Sequence, residues 1–212
     1  MSIIAKAGGG TPRELVPAGS HVARCYSMIH IGTIETTYMD ETKLQNKVRL
    51  TFEIPAEMRV FNEDKGEQPM VIDKEYTLSL SEKANLRKDI DSWRGKALTE
   101  KEAEEFDLTA LLGVECMLSI IHKTTRKGKD YVYISSISRV PKGLTVPKQI
   151  NPTFEFNYNN QFDLEALEAM PEFIRVMIKS SEEYAERIEQ LEGDNLDKQM
   201  QTATDIDDDL PF

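Results

Sequence analysis

Ser81-Glu82-Lys83-Ala84-Asn85-Leu86-Arg87-Lys88-Asp89-Ile90-Asp91-Ser92-Trp93-Arg94-Gly95 lies between two regions of strand-like pattern. Leu86, Ile90 and Trp93 recur at i, i+4 and i+7, a single stripe with the 3.6-residue period of a helix that faces a core. Ser81 offers an N-cap hydroxyl, and Gly95 is a natural stop. Four residues on, Thr99-Glu100-Lys101-Glu102 has the spacing of a capping box and opens a second short helix to about Phe106.

Upstream, the period changes to two. Lys47–Ile54 alternates Val48, Leu50, Phe52 and Ile54 with Lys47, Arg49, Thr51 and Glu53, as a half-buried strand does. Val22–Thr36 is rich in β-formers and broken at Gly32, where a bulge or bend is expected. Pro55–Lys74 is polar and predicts a connection, extended only around Met70–Ile72. Glu75–Leu80 predicts a third strand with Tyr76, Leu78 and Leu80 inward. Downstream, Val114–Lys123 and Tyr131–Val140 predict a hairpin whose loop contains Gly128.

Strands, a helix between the third and fourth, and a closing hairpin are the element order of the oligonucleotide/oligosaccharide-binding (OB) barrel. Its second and third strands and two loops form the binding face. Other all-β barrels accommodate the strands, but the helix position favours this one. The expected fold is mainly β, a five-stranded OB-fold barrel at 19–150 with a helical insertion. A flexible arm at 1–18 precedes it.

After Pro141 the pattern changes. Residues 151–192 predict an extended segment and a helical appendage. Asp163–Met170 forms one or two helical turns, and Pro171 starts a longer helix. Phe173, Met177, Tyr184, Ile188 and Leu191 form its apolar stripe up to Gly193. Ser180-Ser181 interrupt that stripe, which favours a helix docked on the barrel over a dimer seam. At 193–212 low hydrophobicity predicts an acidic disordered tail.

Charge follows the same division. The chain carries 26 Lys and Arg against 37 Asp and Glu, a net charge of −11. Residues 1–150 hold 22 and 21 of these, and residues 151–212 hold 4 and 16. The body is therefore nearly neutral, and net acidity does not exclude a polyanionic partner for it.

Single-stranded nucleic acid requires cations for phosphates and exposed aromatic faces for bases. The final hairpin supplies Lys123, Arg126, Lys127 and Lys129, followed by Tyr131 and Tyr133 opposite Val132 and Ile134. Arg24 and Tyr26 on the first strand and Lys47 and Arg49 on the second add candidates, with the first strand's register open by one residue. Tyr38 and Lys43 belong to the connection between them. Trp93 reads as core by its helical spacing. Phe154, Phe156 and Tyr158 divide evenly between packing on the barrel, contacting a neighbouring subunit and stacking on bases.

Enzymatic and metal chemistry find little support. There is no phosphate loop, nucleophile elbow or HExxH, and Asp89 and Asp91 diverge by about 200° on a helix. Cys25, His30, Cys116 and His122 lack the close-spaced pairs of a zinc site. Without CxxC spacing the two cysteines suggest buried thiols in a reducing compartment, a cytoplasm. No stretch approaches a membrane span and no secretory pattern opens the chain. No cofactor, metal or membrane partner is expected.

The chain ends Asp207-Asp208-Asp209-Leu210-Pro211-Phe212. This resembles the acidic tip of bacterial single-stranded DNA-binding proteins, typically Asp-Asp-Asp-Ile-Pro-Phe, departing only by Leu for Ile. The resemblance implies a recruiting handle. Phe212 and its carboxylate would enter a partner's pocket while the aspartates steer. Leu86–Lys96, Phe106-Asp107-Leu108, Leu111-Leu112-Gly113, Met170-Pro171-Glu172-Phe173-Ile174 and Ser181-Glu182-Glu183-Tyr184 resemble segments of bacteriophage single-stranded DNA-binding proteins. That likeness spans about residues 20–190. It carries a helical appendage where the bacterial proteins have a Gly/Gln-rich linker, so their tetrameric assembly does not transfer.

The resemblance implies sequence-independent binding and protection of single-stranded DNA in phage replication or recombination, in the host cytoplasm. Replication and recombination proteins would be reached through the tip. Two alternatives remain open, a protein–protein adaptor built on the barrel and a strand-annealing recombination protein. Whether copies of the chain associate is also open.

Overall fold

Residues 14–38, 41–159 and 162–205 are described by a computed structural model, with backbone alone at Tyr38, Asn62 and 194–205. The first strand, β1 (Gly19–Tyr38), organises everything else. It pairs antiparallel with β2 (Glu41–Asn62) over residues 24–38, and with β4 (Glu115–Thr124) over residues 19–24. A short β6 (Phe154–Phe156) lies parallel to it at Ser27–Ile29. With β3 (Gly66–Thr77) and β5 (Asp130–Ser138), the main path reads β3-β2-β1-β4-β5. The result is a mainly β chain whose five antiparallel strands curl into a half-barrel.

Two irregularities in β1 explain how one strand serves two layers. Register shifts at Cys25/Ser27 and at His30/Gly32 insert single extra residues. Ala23 and Cys25 point into the curl; beyond the first bulge Met28 takes over that role. Ile29 and Ile31 then join a second cluster under the appendage, with Phe156, Leu167, Met170, Ile174 and Ile178. A bulge changes which parity faces the core. Each fully buried side chain of this size contributes roughly 1.5–3 kcal/mol, so the appendage is part of the fold. The main core fills the curl with Leu50, Phe52, Ile54, Leu118, Ile120, Ile134 and Ile137 against Leu86, Ile90 and Trp93 of α1 (Asn85–Arg94).

The helical insertion sits where its period places it, between the third and fourth strands, but its start differs. Ser81 is not the N-cap; Ala84 is, with no side-chain cap bond. Arg87 supplies the missing anchorage. Buried, it donates to the carbonyls of Leu80 and Leu98 and pairs with Asp91, tying α1 to the turns on both sides. Gly95 closes α1 at φ 67°, in the left-handed region. The expected capping box is formed at Thr99 and Glu102 and opens α2 (Glu100–Glu104).

Pro55–Lys74 is not a loose connection. β2 continues to Asn62, turns through Glu63–Lys65, and returns as β3 from Gly66. Met58 pairs with Pro69, Arg59 with Gln68 and Val60 with Glu67. The outer half of this ribbon has little core to face, so its composition is polar. Pro69 is tolerated because β3 is an edge strand. The third strand therefore ends at Thr77; Tyr76 is buried, while Leu78 is exposed and Leu80 only flanks the core.

The appendage also differs in detail. Asp163 caps α3 (Leu164–Glu168), and Pro171 caps α4 (Glu172–Lys179). At Ser180-Ser181 the helix breaks, because the Ser181 hydroxyl donates to the Ile178 carbonyl and accepts from the Tyr184 amide. The buried face of α4 is Ile174 and Ile178; Phe173 is 53% exposed. Beyond the break, α5 (Glu182–Asp205) runs past Gly193, the expected stop. A glycine inside a helix costs only about 1 kcal/mol and does not by itself end one.

Candidate nucleic-acid interface

The β4–β5 hairpin presents its cations to solvent. Thr125 and Lys129 bond across the turn, Gly128 takes φ 76°, and the Thr124 hydroxyl donates to Asp130. That last bond engages the carboxylate nearest the loop. Arg126, Lys127 and Lys129 are exposed and have no ion-pair partner among the described residues. Lys123 lies opposite Tyr131 in the ladder, and its ammonium sits 3.5 Å from the centre of the Tyr133 ring. Tyr131 and Tyr133 are both 39% exposed. An exposed cation–π contact is worth about 0.5–1 kcal/mol. A stacked base contributes about 1–3 kcal/mol, so a base can displace Lys123 from that ring.

The other sequence candidates divide. Arg24 donates to the Pro147 and Gly113 carbonyls and pairs with Glu115, which pins the segment after β5. Arg49 is gripped by Asp73 and Glu75 and lies under the ring of Phe173 from α4, 5.1 Å from its centroid. Both arginines are held within the protein, because each strand neighbour across from them brought an acid. Tyr26 is the extra residue of the first bulge and half-buried; burial, then Glu53 and Asp73, push its hydroxyl pKa up. Lys43 pairs with Glu41 in the exposed β1–β2 ribbon. The side chain of Tyr38 lies outside the described residues, as do all of Asp207, Asp208, Asp209, Leu210, Pro211 and Phe212.

Lys47 belongs to a feature that no local pattern announces. β3 and β5 end the sheet path without pairing among the described residues. Between them, below the turn leading into α1, opens a cleft of about 860 Å³. Lys47, Lys74, Lys83, Lys88 and Tyr133 contribute to its walls. Lys74 bonds Asp89 at 2.7 Å, and the Tyr76 hydroxyl donates to the same oxygen. Lys74, Lys83 and Lys88 escaped the sequence reading because three separate elements bring them together. A second groove of about 450 Å³ follows β3 from Gln68 to Asp73, bounded by Leu15, Val16, Tyr26 and Phe61.

The remaining aromatics are packed. Trp93 donates its indole N–H to the Glu115 carbonyl at 2.7 Å and lies 5.7 Å from Phe52. Phe154 and Phe156 build β6, and Tyr158 donates to the Ile31 carbonyl and stacks on Phe162. All three pack in or against the second core cluster within the chain. Cys25 and Cys116 are free and buried, and burial pushes the Cys25 thiol up to about 12. His30 bonds Asn46 and His122 bonds the Val16 carbonyl. Among the described residues no three His, Cys, Asp or Glu side chains cluster to hold a metal.

No described helix is long and apolar enough to cross a membrane. No protein-family model matches this sequence, and no curated protein matches it.

Proposed function

We propose that this chain is a phage-type accessory protein of DNA replication or recombination that binds single-stranded DNA without sequence preference through an OB-type barrel. Its acidic tip would recruit partner enzymes. The observation that carries the reading is the β4–β5 hairpin, where Arg126, Lys127 and Lys129, unpaired among the described residues, lie beside the exposed rings of Tyr131 and Tyr133. Cations there neutralise phosphates while the rings accept unpaired bases. The order β3-β2-β1-β4-β5, with α1 between β3 and β4, supports the OB reading.

A gel shift with oligo-dT at low and moderate salt tests the proposal; a protein–protein adaptor would not retard the oligonucleotide. Arg126→Glu with Lys127→Glu should weaken binding and flatten the dependence of log K on log salt, by roughly 0.7 for each phosphate no longer neutralised. Deleting Asp205–Phe212 should abolish partner recruitment with DNA affinity equal or higher. A marked loss of DNA affinity on that deletion would overturn the role given to the tip.

A further inference from the structure

We propose that the cleft between β3, the turn before α1 and β5 is a subsite for one unpaired nucleotide of the bound strand. The base stacks on Tyr133, and Lys83 and Lys88 meet the adjoining phosphates. The inference rests on the single-strand reading above and adds residues and a selectivity to it.

Size is the first argument. About 860 Å³ falls within the roughly 300–1,000 Å³ of pockets that enclose a small ligand. A nucleotide in a single strand can swing its base into such a recess. A base pair cannot, because its partner strand occupies the space and the hydrogen-bonding edge.

Charge is the second. The acids lining the cleft are engaged by cations of the protein itself: Asp73 and Glu75 hold Arg49, and Asp89 holds Lys74. Lys47, Lys83 and Lys88 have no such partner among the described residues, so the walls carry uncompensated positive charge. Tyr133 is the third argument. Its ring belongs both to this cleft and to the exposed face of the hairpin, under the Lys123 ammonium. A strand crossing the hairpin therefore reaches the cleft without leaving that aromatic.

The test is anisotropy titration of the full-length protein with oligo-dT over a salt series, comparing Lys83→Ala with Lys88→Ala against Arg126→Ala with Lys127→Ala. Lys83 lies exposed in the turn before α1 and Lys88 lies off the helix's buried stripe, and circular dichroism checks that the helix is kept. The cleft variant should lower the salt slope by about 1.4, equivalent to two single-strand phosphates, and narrow the preference for single over double strands. Photo-crosslinking of bromodeoxyuridine-containing oligonucleotide should map to Tyr133 in the unsubstituted protein. Two other outcomes overturn the subsite. If the hairpin variant reduces the slope while the cleft variant and its crosslinks are unchanged, the subsite fails and the single-strand reading stands. If the unsubstituted protein binds no oligo-dT, both fail together.

Discussion

Glu183 at the start of α5 grips Thr33 of β1 with both carboxylate oxygens, one accepting the backbone amide at 2.5 Å and the other the hydroxyl at 2.8 Å. Asn46 of β2 adds a third donor at 3.1 Å. The contact forms where β1 bulges, and Gly32 makes it possible. There φ is 94°, and a Cβ would lie 2.6 Å from the Glu183 carboxylate and 2.7 Å from the Ser181 side chain. The bulge, the break at Ser181 and the acid that follows it form one joint between barrel and appendage.

Breaking that joint should free the appendage before it unfolds the barrel. Gly32→Ala is expected to cost about 1–3 kcal/mol from backbone strain alone, plus displacement of Ser181. Glu183→Ala should cost about 1–3 kcal/mol, discounted for partial exposure of the carboxylate. Urea unfolding gives the totals, and hydrogen exchange should accelerate in α5 first. Uniform acceleration through β1 and β4 would contradict this order.

The same joint should respond to acid. Burial alone would raise the Glu183 carboxyl, but the Thr33 amide and hydroxyl outweigh it and hold the pKa below its ordinary 4.5. A depressed carboxyl stabilises fully above its unfolded value and loses that contribution as pH falls through the folded one. Docking of α5 should therefore be intact at neutral pH and weaken below about pH 4.5. Protection of α5 amides, measured relative to their intrinsic exchange rate at each pH, that does not fall on acidification would count against it.

Glu53 carries a second joint. It is fully buried on β2 and accepts from the amides of Ile150 and Asn151 and from the Asn151 side chain, each at 2.7 Å. Glu53→Ala leaves three donors without their acceptor, at about 1–3 kcal/mol for each one that stays buried. Segment 147–151 should lift and become susceptible to protease. Glu53→Gln, which keeps one acceptor oxygen, should fall between the two. Proteolysis of the Ala variant at the unsubstituted rate would remove the assignment.

The elements that could be read locally were those whose signal is local. The stripe of Leu86, Ile90 and Trp93, the capping box at Thr99, the bulge at Gly32 and the apolar face of Lys47–Ile54 each lie within one element and appear as expected. Glu53, on the opposite face of that strand, is instead buried beneath Ile150 and Asn151. The β2–β3 ribbon was illegible because, away from the core, nothing selects apolar residues at alternate positions. The engagement of Arg24 and Arg49 depends on Glu115, Asp73 and Glu75, which only sheet register brings alongside them. The cleft lysines were hidden for the same reason. Their common wall exists only after β3 and β5 curl towards each other.

Trp93 gives a direct optical test of which face does the binding. It is the chain's single tryptophan, 4% exposed, with its N–H engaged by the Glu115 carbonyl. Acrylamide should quench it poorly, and saturating oligo-dT should leave its emission nearly unchanged, since no base can reach the ring. Trp93→Phe removes the donor and part of the core volume, and should cost about 1–3 kcal/mol. Single-strand affinity should stay within about twofold, because the stacking surface lies elsewhere. Tyr133→Ala should do the opposite, leaving thermal stability nearly unchanged while weakening oligo-dT by about 1–3 kcal/mol. Strong tryptophan quenching on oligo-dT addition would mean that a base reaches the buried indole itself, and would contradict a stacking surface at Tyr133 and the β4–β5 hairpin.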